Sequence, residues 1–531
     1  MFSAHRLTYK QTQAFSTVVT DYLREAPELR SFYAEAPDLE GIKSTIEKKK
    51  AQPVDRAALT RALKTQYAGR DLQPEVAHNI DLLDRETTFT VCTAHQPNLF
   101  TGPLYFMYKI IHAIRLAAQL KKELPAFDFV PVYYMGSEDA DFAELNHTWI
   151  DGKRIEWKKV QSGAVGRMLV DDSLIRLIDE LEGQLIGEAH GAEVVNLLRS
   201  AYQKGRSIQS ATFELIDQLY GHYGLVVLIP DVAALKSLLL PVFEEDLFQN
   251  TASALVADTS ARLGAHYKVQ AHPREINLFY LRDAVRERII RTEAGFSVIN
   301  TEWQFSEAEM KNELRQYPER FSPNVILRGL YQETILPNIA FVGGGGELAY
   351  WLQLCSLFDR YKTVFPVLVL RNSFLVIEPK WKDLIRKTGI SIEDLFLPAD
   401  ELVRTLIIRQ QGEAVQLNGQ LAQAEELYNT LSERAGAIDP TLSRHVAALR
   451  TRSIRQLQEL EKKMIRAEKR KWSAQQAQLQ KLRDALFPRN GLQERVENFS
   501  LFYARWGKEF IDQLYRHSGA LEQEFTVLIK E

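Results

Sequence analysis

Cysteine is nearly absent from this sequence, with two residues, Cys92 and Cys355, in 531. Two thiols so far apart make neither a disulfide framework nor a zinc site of paired cysteines. Both fall in apolar segments, so they are expected as buried thiols, one in a strand and one in a helix. Long apolar runs are missing too. No stretch approaches the ~20 residues of a membrane span. Met1 to Arg6 lacks the apolar core of a secretory signal. These absences give a cytoplasmic expectation with no membrane partner. A charge excess is also lacking. The net charge is −3, which argues against a dedicated nucleic-acid binder, whose footprint is a basic surface. There is no Ser-His-Asp elbow and no diagnostic metal-ligand spacing, so no metal site is assigned.

What remains is an ordinary globular composition, 45% hydrophobic and 25% charged. The length suits about three domains of ~150–200 residues each. Residues 1–87 read as a helical, amphipathic segment packed on a core. Residues 88–380 read as an α/β core with insertions. From about Pro379 glycine and proline thin out, and 381–531 reads as a helical domain whose tail returns to the core.

The chain is organised around Val91 to Asp141. Thr88–Cys92 is a short β-branched and aromatic run. The segment Thr93 to Pro103 cannot continue it. Apolar residues at Leu104, Met107, Ile111, Ile114 and Ala118 then have helical spacing, to roughly Lys122. Phe129–Met135 is a second strand, ending in Gly136-Ser137-Glu138-Asp139-Ala140-Asp141. This is a βαβ unit with polar clusters at both strand ends, where open parallel sheets place ligands.

Further along, Asp151-Gly152 predicts a hairpin turn. Helices are expected over 174–185, 192–202, 210–220 and from Leu235 past Thr251. Leu225–Ile229 has the continuous apolar pattern of a strand buried on both faces. Short strands are expected at Val269–His272 and Asn277–Leu281. Ile339–Val342 predicts a strand, followed by Gly343–Gly346 and a helix from Glu347 to Phe358. Four glycines there let backbone N–H groups face a ligand at the helix N-terminus. No Gly-Lys-Ser/Thr follows, so this is not a P-loop. Phe365–Leu370 is the next strand, ending in Arg371-Asn372-Ser373. Asp400 to Ala435 and a helix after Asp439-Pro440 to about Phe487 predict an antiparallel coiled-coil hairpin. Phe525–Ile529 is a strand of the tail.

Candidate chemistry lies at the strand ends. His95, with Gln96 and Asn98, sits in the first strand-to-helix turn, where a helix N-terminus favours an anion. Lys109 lies two turns into the helix. The plainer alternative is a surface turn. Glu138, Asp139 and Asp141 could bind an amine or Mg²⁺ or act as a base, or simply cap the next helix. Asn324, Arg328, Gly344, Gly345, Glu347 and Arg371 complete the set. Arg328 and Arg371 suit carboxylates, because guanidinium binds them at two points.

Several of these stretches, in this order, resemble the BshC family, putative cysteine ligases of bacillithiol biosynthesis. They are His95 to Tyr105 with Lys109, Pro131–Tyr134 with Ser137–Asp141, Ser322–Arg328, Gln332-Glu333, Leu336-Pro337, Val342–Glu347 with Tyr350-Trp351, and Leu492–Arg495. The resemblance implies a Rossmann-like parallel-sheet core with helical insertions and a C-terminal α-helical coiled coil that mediates homodimerisation. It implies joining of cysteine to glucosaminyl-malate. Activation of the carboxyl group would draw on ATP, with Mg²⁺. The chain departs from many relatives, with Ala94-His95-Gln96 in place of Gly-Gln-Gln, Gly329 in place of a proline, and Ala140 in place of a histidine. No role resting on that histidine carries over. The alternatives are an adenylating ligase of the same fold with another amino acid or acceptor, and a non-catalytic, metabolite-binding coiled-coil assembly protein.

Overall fold

The computed structural model describes residues 2–160, 163–411, 416–471 and 473–531. Its strands, in chain order, are β1 (Phe2–Thr8), β2 (Thr88–His95), β3 (Asp128–Met135), β4 (His147–Ile150), β5 (Lys153–Glu156), β6 (Val226–Leu228), β7 (Leu278–Arg282) and β8 (Val285–Thr292). They continue with β9 (Gly295–Val298), β10 (Gln304–Phe305), β11 (Phe321–Pro323), β12 (Asn338–Gly343), β13 (Val367–Leu370), β14 (Ser373–Ile377) and β15 (Glu524–Lys530).

The central sheet is wholly parallel, in the order β13-β12-β2-β3-β6. Its strands are buried on both faces, as their unbroken apolar runs require. β2 sits inside, with β3 on one side and β12 on the other. The chain therefore changes direction across the sheet between β2 and β12, where a crevice opens beyond the carboxyl ends. The helix Tyr105–Glu123 connects β2 to β3. Together with the C-terminal coiled coil, this is the expected mixed α/β architecture.

Two further sheets hold the core. An antiparallel sheet, β10-β9-β8-β7-β11, lies in the insertion between β6 and β12. Of its strands only β7 has a counterpart in the sequence reading. The third sheet is β1-β15-β14. It corrects the helical reading of residues 1–87 at its start, where the chain begins with a strand, while helices follow between Thr17 and Leu82 as expected. Only Phe2 and Leu7 of β1 are buried, so no alternating pattern announces it. The strand exists because Phe2 to Thr8 pairs with Lys530 to Glu524. β15 also pairs with β14, so the tail returns to the core as expected.

Other differences have local causes. Val269–His272 is not a strand. The backbone N–H groups of Gln270 and Ala271 both donate to Oε1 of Gln353 at 2.9 Å, so a side chain replaces a ladder. The helix expected from Glu347 to Phe358 is two helices, Gly345–Trp351 and Cys355–Arg360, and the break between them holds that glutamine. Asp151 and Gly152 have positive φ (49° and 75°) between β4 and β5, the backbone a two-residue hairpin turn needs. Cys92 is buried in β2, while Cys355 is half-buried at a helix start.

In the C-terminal region, Ala399–Gln411 and Asn418–Ile438 replace the single helix expected from Asp400 to Ala435. Val415, an expected apolar position there, lies outside the described residues. Asn418–Ile438 packs against Leu442–Lys471 as an antiparallel hairpin. Lys469, near the end of Leu442–Lys471, pairs with Asp400. Among the described residues no helix is long and apolar enough to cross a membrane.

Candidate functional site

The carboxyl ends of β2, β3, β12 and β13 open into one cavity of about 490 Å³. Ala94, His95 and Gln96 come from the end of β2. Gly136 and Asp139 follow β3, Gly344 to Glu347 follow β12, and Arg371 follows β13. Lys109 reaches it from the helix after β2, and Arg328 from the helix Val325–Ile335. Nine sequence candidates thus share one site, His95, Gln96, Lys109, Asp139, Arg328, Gly344, Gly345, Glu347 and Arg371.

Four candidates lie elsewhere. Glu138 is buried, but its carboxylate is held by Lys236. Lys236 also reaches Asp231 at 3.1 Å, and Arg167 closes on Asp231 at 2.7 Å. Burial pushes the Glu138 carboxyl up against the pull of Lys236. Asp141 is exposed and caps the short helix Phe142–Leu145, accepting from the Glu144 N–H at 3.2 Å. Asn324 caps the helix Val325–Ile335 and donates to Asn277 at 3.1 Å. Asn98 is buried and borders an adjoining, smaller cavity.

Of the three carboxylates after β3, Asp139 is the one that meets the main cavity. Its Oδ2 accepts from Gln96 at 3.2 Å and lies 3.6 Å from Arg328. Burial alone would raise its pKa. Arg328 and Arg286 outweigh burial, and the carboxyl is held below its ordinary range. A carboxylate so stabilised suits holding a cation better than accepting a proton near neutral pH. Arg286, on β8, brings the second sheet to the site. It donates to Ser322 at 3.0 Å, and burial brings it down to about 10.

His95 ends β2 rather than sitting in the turn after it, because the strand runs three residues beyond Cys92. The helix that follows begins at Tyr105. Burial, reinforced by Lys109 and Arg371, pushes the His95 imidazole well below its usual pKa. It is therefore neutral at pH 7. Its Nε2 is buried and finds no hydrogen-bond partner in the protein. Lys109 donates to the Ala94 carbonyl at 2.9 Å and pairs with Glu347.

The glycine loop works differently from the expectation of open N–H groups. The Gly344 N–H donates to Glu347 Oε2 at 2.8 Å, so the loop is capped by its own glutamate. None of its four glycines has a positive φ. Three of them, Gly344, Gly345 and Gly346, line the cavity. A Cβ on Gly346 would meet nothing within 4 Å.

The family model described as "Bacillithiol biosynthesis BshC, N-terminal Rossmann-like domain" matches residues 2–372, and the one described as "Bacillithiol biosynthesis BshC, C-terminal coiled-coil domain" matches 374–529. The chain belongs to the BshC family. It is 38% identical over 524 residues to a protein of Flavobacterium johnsoniae, covering 98% of this chain and 99% of the relative. A relative from Christiangramia forsetii is 37% identical, with 98% of each chain covered. One from Salinibacter ruber is 30% identical, covering 97% and 96%. Each is named "Putative cysteine ligase BshC".

Within this BshC chain, the site also contains residues that sequence reasoning passed over. Tyr105, Glu144, Gln270, Tyr350 and Arg495 all line the cavity. Tyr105, Tyr350 and Arg495 stood inside stretches shared with the family, which was the available signal. Glu144 and Gln270 carried none.

Proposed function

We propose that this chain joins the carboxyl group of cysteine to the amine of glucosaminyl-malate, the amide that completes bacillithiol. The observation that carries the reading is the charge arrangement in the main cavity. Asp139, kept ionised by Arg328 and Arg286, follows β3 and lines the same cavity as Lys109 and Arg371. An amine and an anionic group can be held in that one cavity. Such positioning is a large part of the catalysis of a two-substrate condensation. The names of the relatives supply cysteine and the ligase class.

A free carboxylate does not form an amide in water without activation, and ATP supplies that activation when bound. The residues fit a polyanion. His95 Nε2 and Arg371 Nε are buried without a partner, beside Lys109 on one wall. They would hold phosphate oxygens. Among the described residues no group of three or more His, Cys, Asp or Glu could hold a metal ion, so Mg²⁺ would arrive on the nucleotide. Asp139 orients the acceptor's ammonium, and Tyr134 and Tyr350 line the same cavity.

The test is purified protein with cysteine and glucosaminyl-malate, with and without ATP-Mg²⁺, followed by product mass and by AMP and ADP release. Bacillithiol formed only with nucleotide is the expected result. Preference for another amino acid or acceptor, or no amide under any condition, would overturn the assignment.

We also infer self-association through the coiled coil. Leu427, Leu431, Ile438, Leu442, Leu449 and Leu460 are all exposed on its two long helices. A second copy would cover a stripe of that kind.

A further inference from the structure

A second cavity of about 230 Å³ adjoins the main one. Tyr105, Glu144 and Arg495 line both, and so form the passage between them. Glu144 belongs to the short helix Phe142–Leu145, and Arg495 to the 3₁₀ turn Gln493–Arg495 of the C-terminal region. The chain thus brings one carboxylate and one guanidinium from remote segments to a common edge.

Their charges are uncommitted. Among the described residues neither has an oppositely charged partner within 4 Å, and they do not bridge each other. Asp139, Lys109 and Arg371 of the main cavity, by contrast, each have an oppositely charged protein group within 4 Å, in Arg328, Glu347 and Glu494. Partial burial, with Asp141 and Asp139 nearby, holds Glu144 above the ordinary carboxylate range. That point of the surface lacks a cation. The smaller cavity has unmet polar atoms as well. Asn98 Oδ1 and Thr148 Oγ1 line it without hydrogen-bond partners, in residues only 6% and 1% exposed. Arg489, over the Trp149 ring at 4.5 Å, adds a second cation on the outer wall.

We propose that this smaller cavity binds the zwitterionic head of a free α-amino acid, with its carboxylate on Arg495 and its ammonium on Glu144. In glucosaminyl-malate the ammonium and the carboxylates sit on different units of the molecule, whereas an α-amino acid carries both charges on neighbouring atoms at neutral pH. The carboxyl carbon is then presented at the passage, facing the larger cavity in which the bulkier acceptor fits. Asn98 and Thr148, which line the smaller cavity and not the larger, are left to the amino acid's side chain. The identity of the amino acid as cysteine rests on the ligase reading above. The charge pattern does not.

The test is calorimetric titration of the full-length protein with cysteine, with cysteamine, which lacks the carboxylate, and with 3-mercaptopropionate, which lacks the ammonium. Each analogue should bind the wild-type protein roughly tenfold or more weakly than cysteine, the scale of one charged hydrogen bond. Glu144→Gln should abolish the preference for cysteine over 3-mercaptopropionate. Arg495→Gln should abolish the preference over cysteamine. Both variants should lose at least tenfold more affinity for cysteine than for glucosaminyl-malate. Both side chains are exposed, so thermal melts should match, and the wild-type analogue series stands without any variant. Wild-type protein that binds no cysteine, or variants that keep its affinity or lose the acceptor instead, would overturn the proposal. Protein that passes this test yet forms no amide with ATP-Mg²⁺ would overturn the ligase reading alone.

Discussion

Arg371 and Glu494 form a two-point ion pair between the end of the parallel sheet and the C-terminal tail. Nη2 donates to Oε1 at 2.7 Å and Nη1 to Oε2 at 3.0 Å. Both are buried, and Glu494 also accepts from Ser373 and from the Phe374 N–H. The arginine offered by the sequence as a substrate clamp already holds a protein carboxylate. Its unpaired Nε is what remains near the cavity. Replacing Glu494 by alanine leaves a buried guanidinium uncompensated. Urea unfolding should show a loss of about 3–5 kcal/mol. A loss under 1 kcal/mol would mean that the tail is not anchored here.

Asp139→Asn should lower kcat/KM toward the amine substrate about 10- to 100-fold, the worth of one charge-assisted hydrogen bond, with little change in the melting temperature. The carboxylate form is the working one, and its pKa is depressed. Activity owed to it is therefore present through the ordinary carboxylate range and is lost only as pH falls below that range. An acid limb in kcat/KM set by Asp139 above pH 5 would contradict the geometry.

Glu138, beside it in sequence, is predicted to act through structure. Lys236 joins Glu138 to Asp231 inside the protein. Lys236→Met should cost about 3–5 kcal/mol, because the buried Glu138 carboxylate loses its ion-pair partner and Asp231 is left with Arg167 alone. Glu138→Gln should cost less, since Asp231 keeps both Lys236 and Arg167. Equal losses in chemical denaturation would argue against this network.

Asp171 caps the helix Asp172–Leu185 and accepts from Ser173, Leu174 and Trp157. Its pKa is lowered from 3.8 to about 2, with those hydrogen bonds and Lys159 outweighing burial. A depressed folded-state pKa stabilises above the unfolded value and is lost as pH falls through the folded one. Asp171→Ala should cost about 1 kcal/mol at pH 7. The difference from wild type should shrink between pH 4 and pH 2. A difference independent of pH would show that the cap is not acting through the ionised carboxylate.

For the coiled coil, paired substitution of Leu427 and Leu431 by glutamate should convert dimer to monomer in analytical ultracentrifugation. The core melt should be unaltered, because both side chains are exposed on the single chain. A wild-type protein that sediments as a monomer would remove the dimer from the proposal.

The sequence by itself determined the βαβ unit around Val91–Asp141, the buried strands before the glycine loop and before Arg371, the Asp-Gly hairpin and the coiled-coil hairpin. Each depends on periodicity or turn chemistry within a few residues, and such signals survive without knowledge of the fold. It also placed polar groups at the right strand ends, because a parallel sheet sends all its carboxyl ends to one side. Only the tertiary structure decided that β1 is a strand, since its partner lies more than 500 residues away. Only packing decided that Asp139 faces the cavity while Lys236 takes Glu138 and a short helix takes Asp141. Glu144 and Arg495 became neighbours of one passage for the same reason. A cavity is the space left between elements distant in sequence, and no local pattern records which side chains will border it.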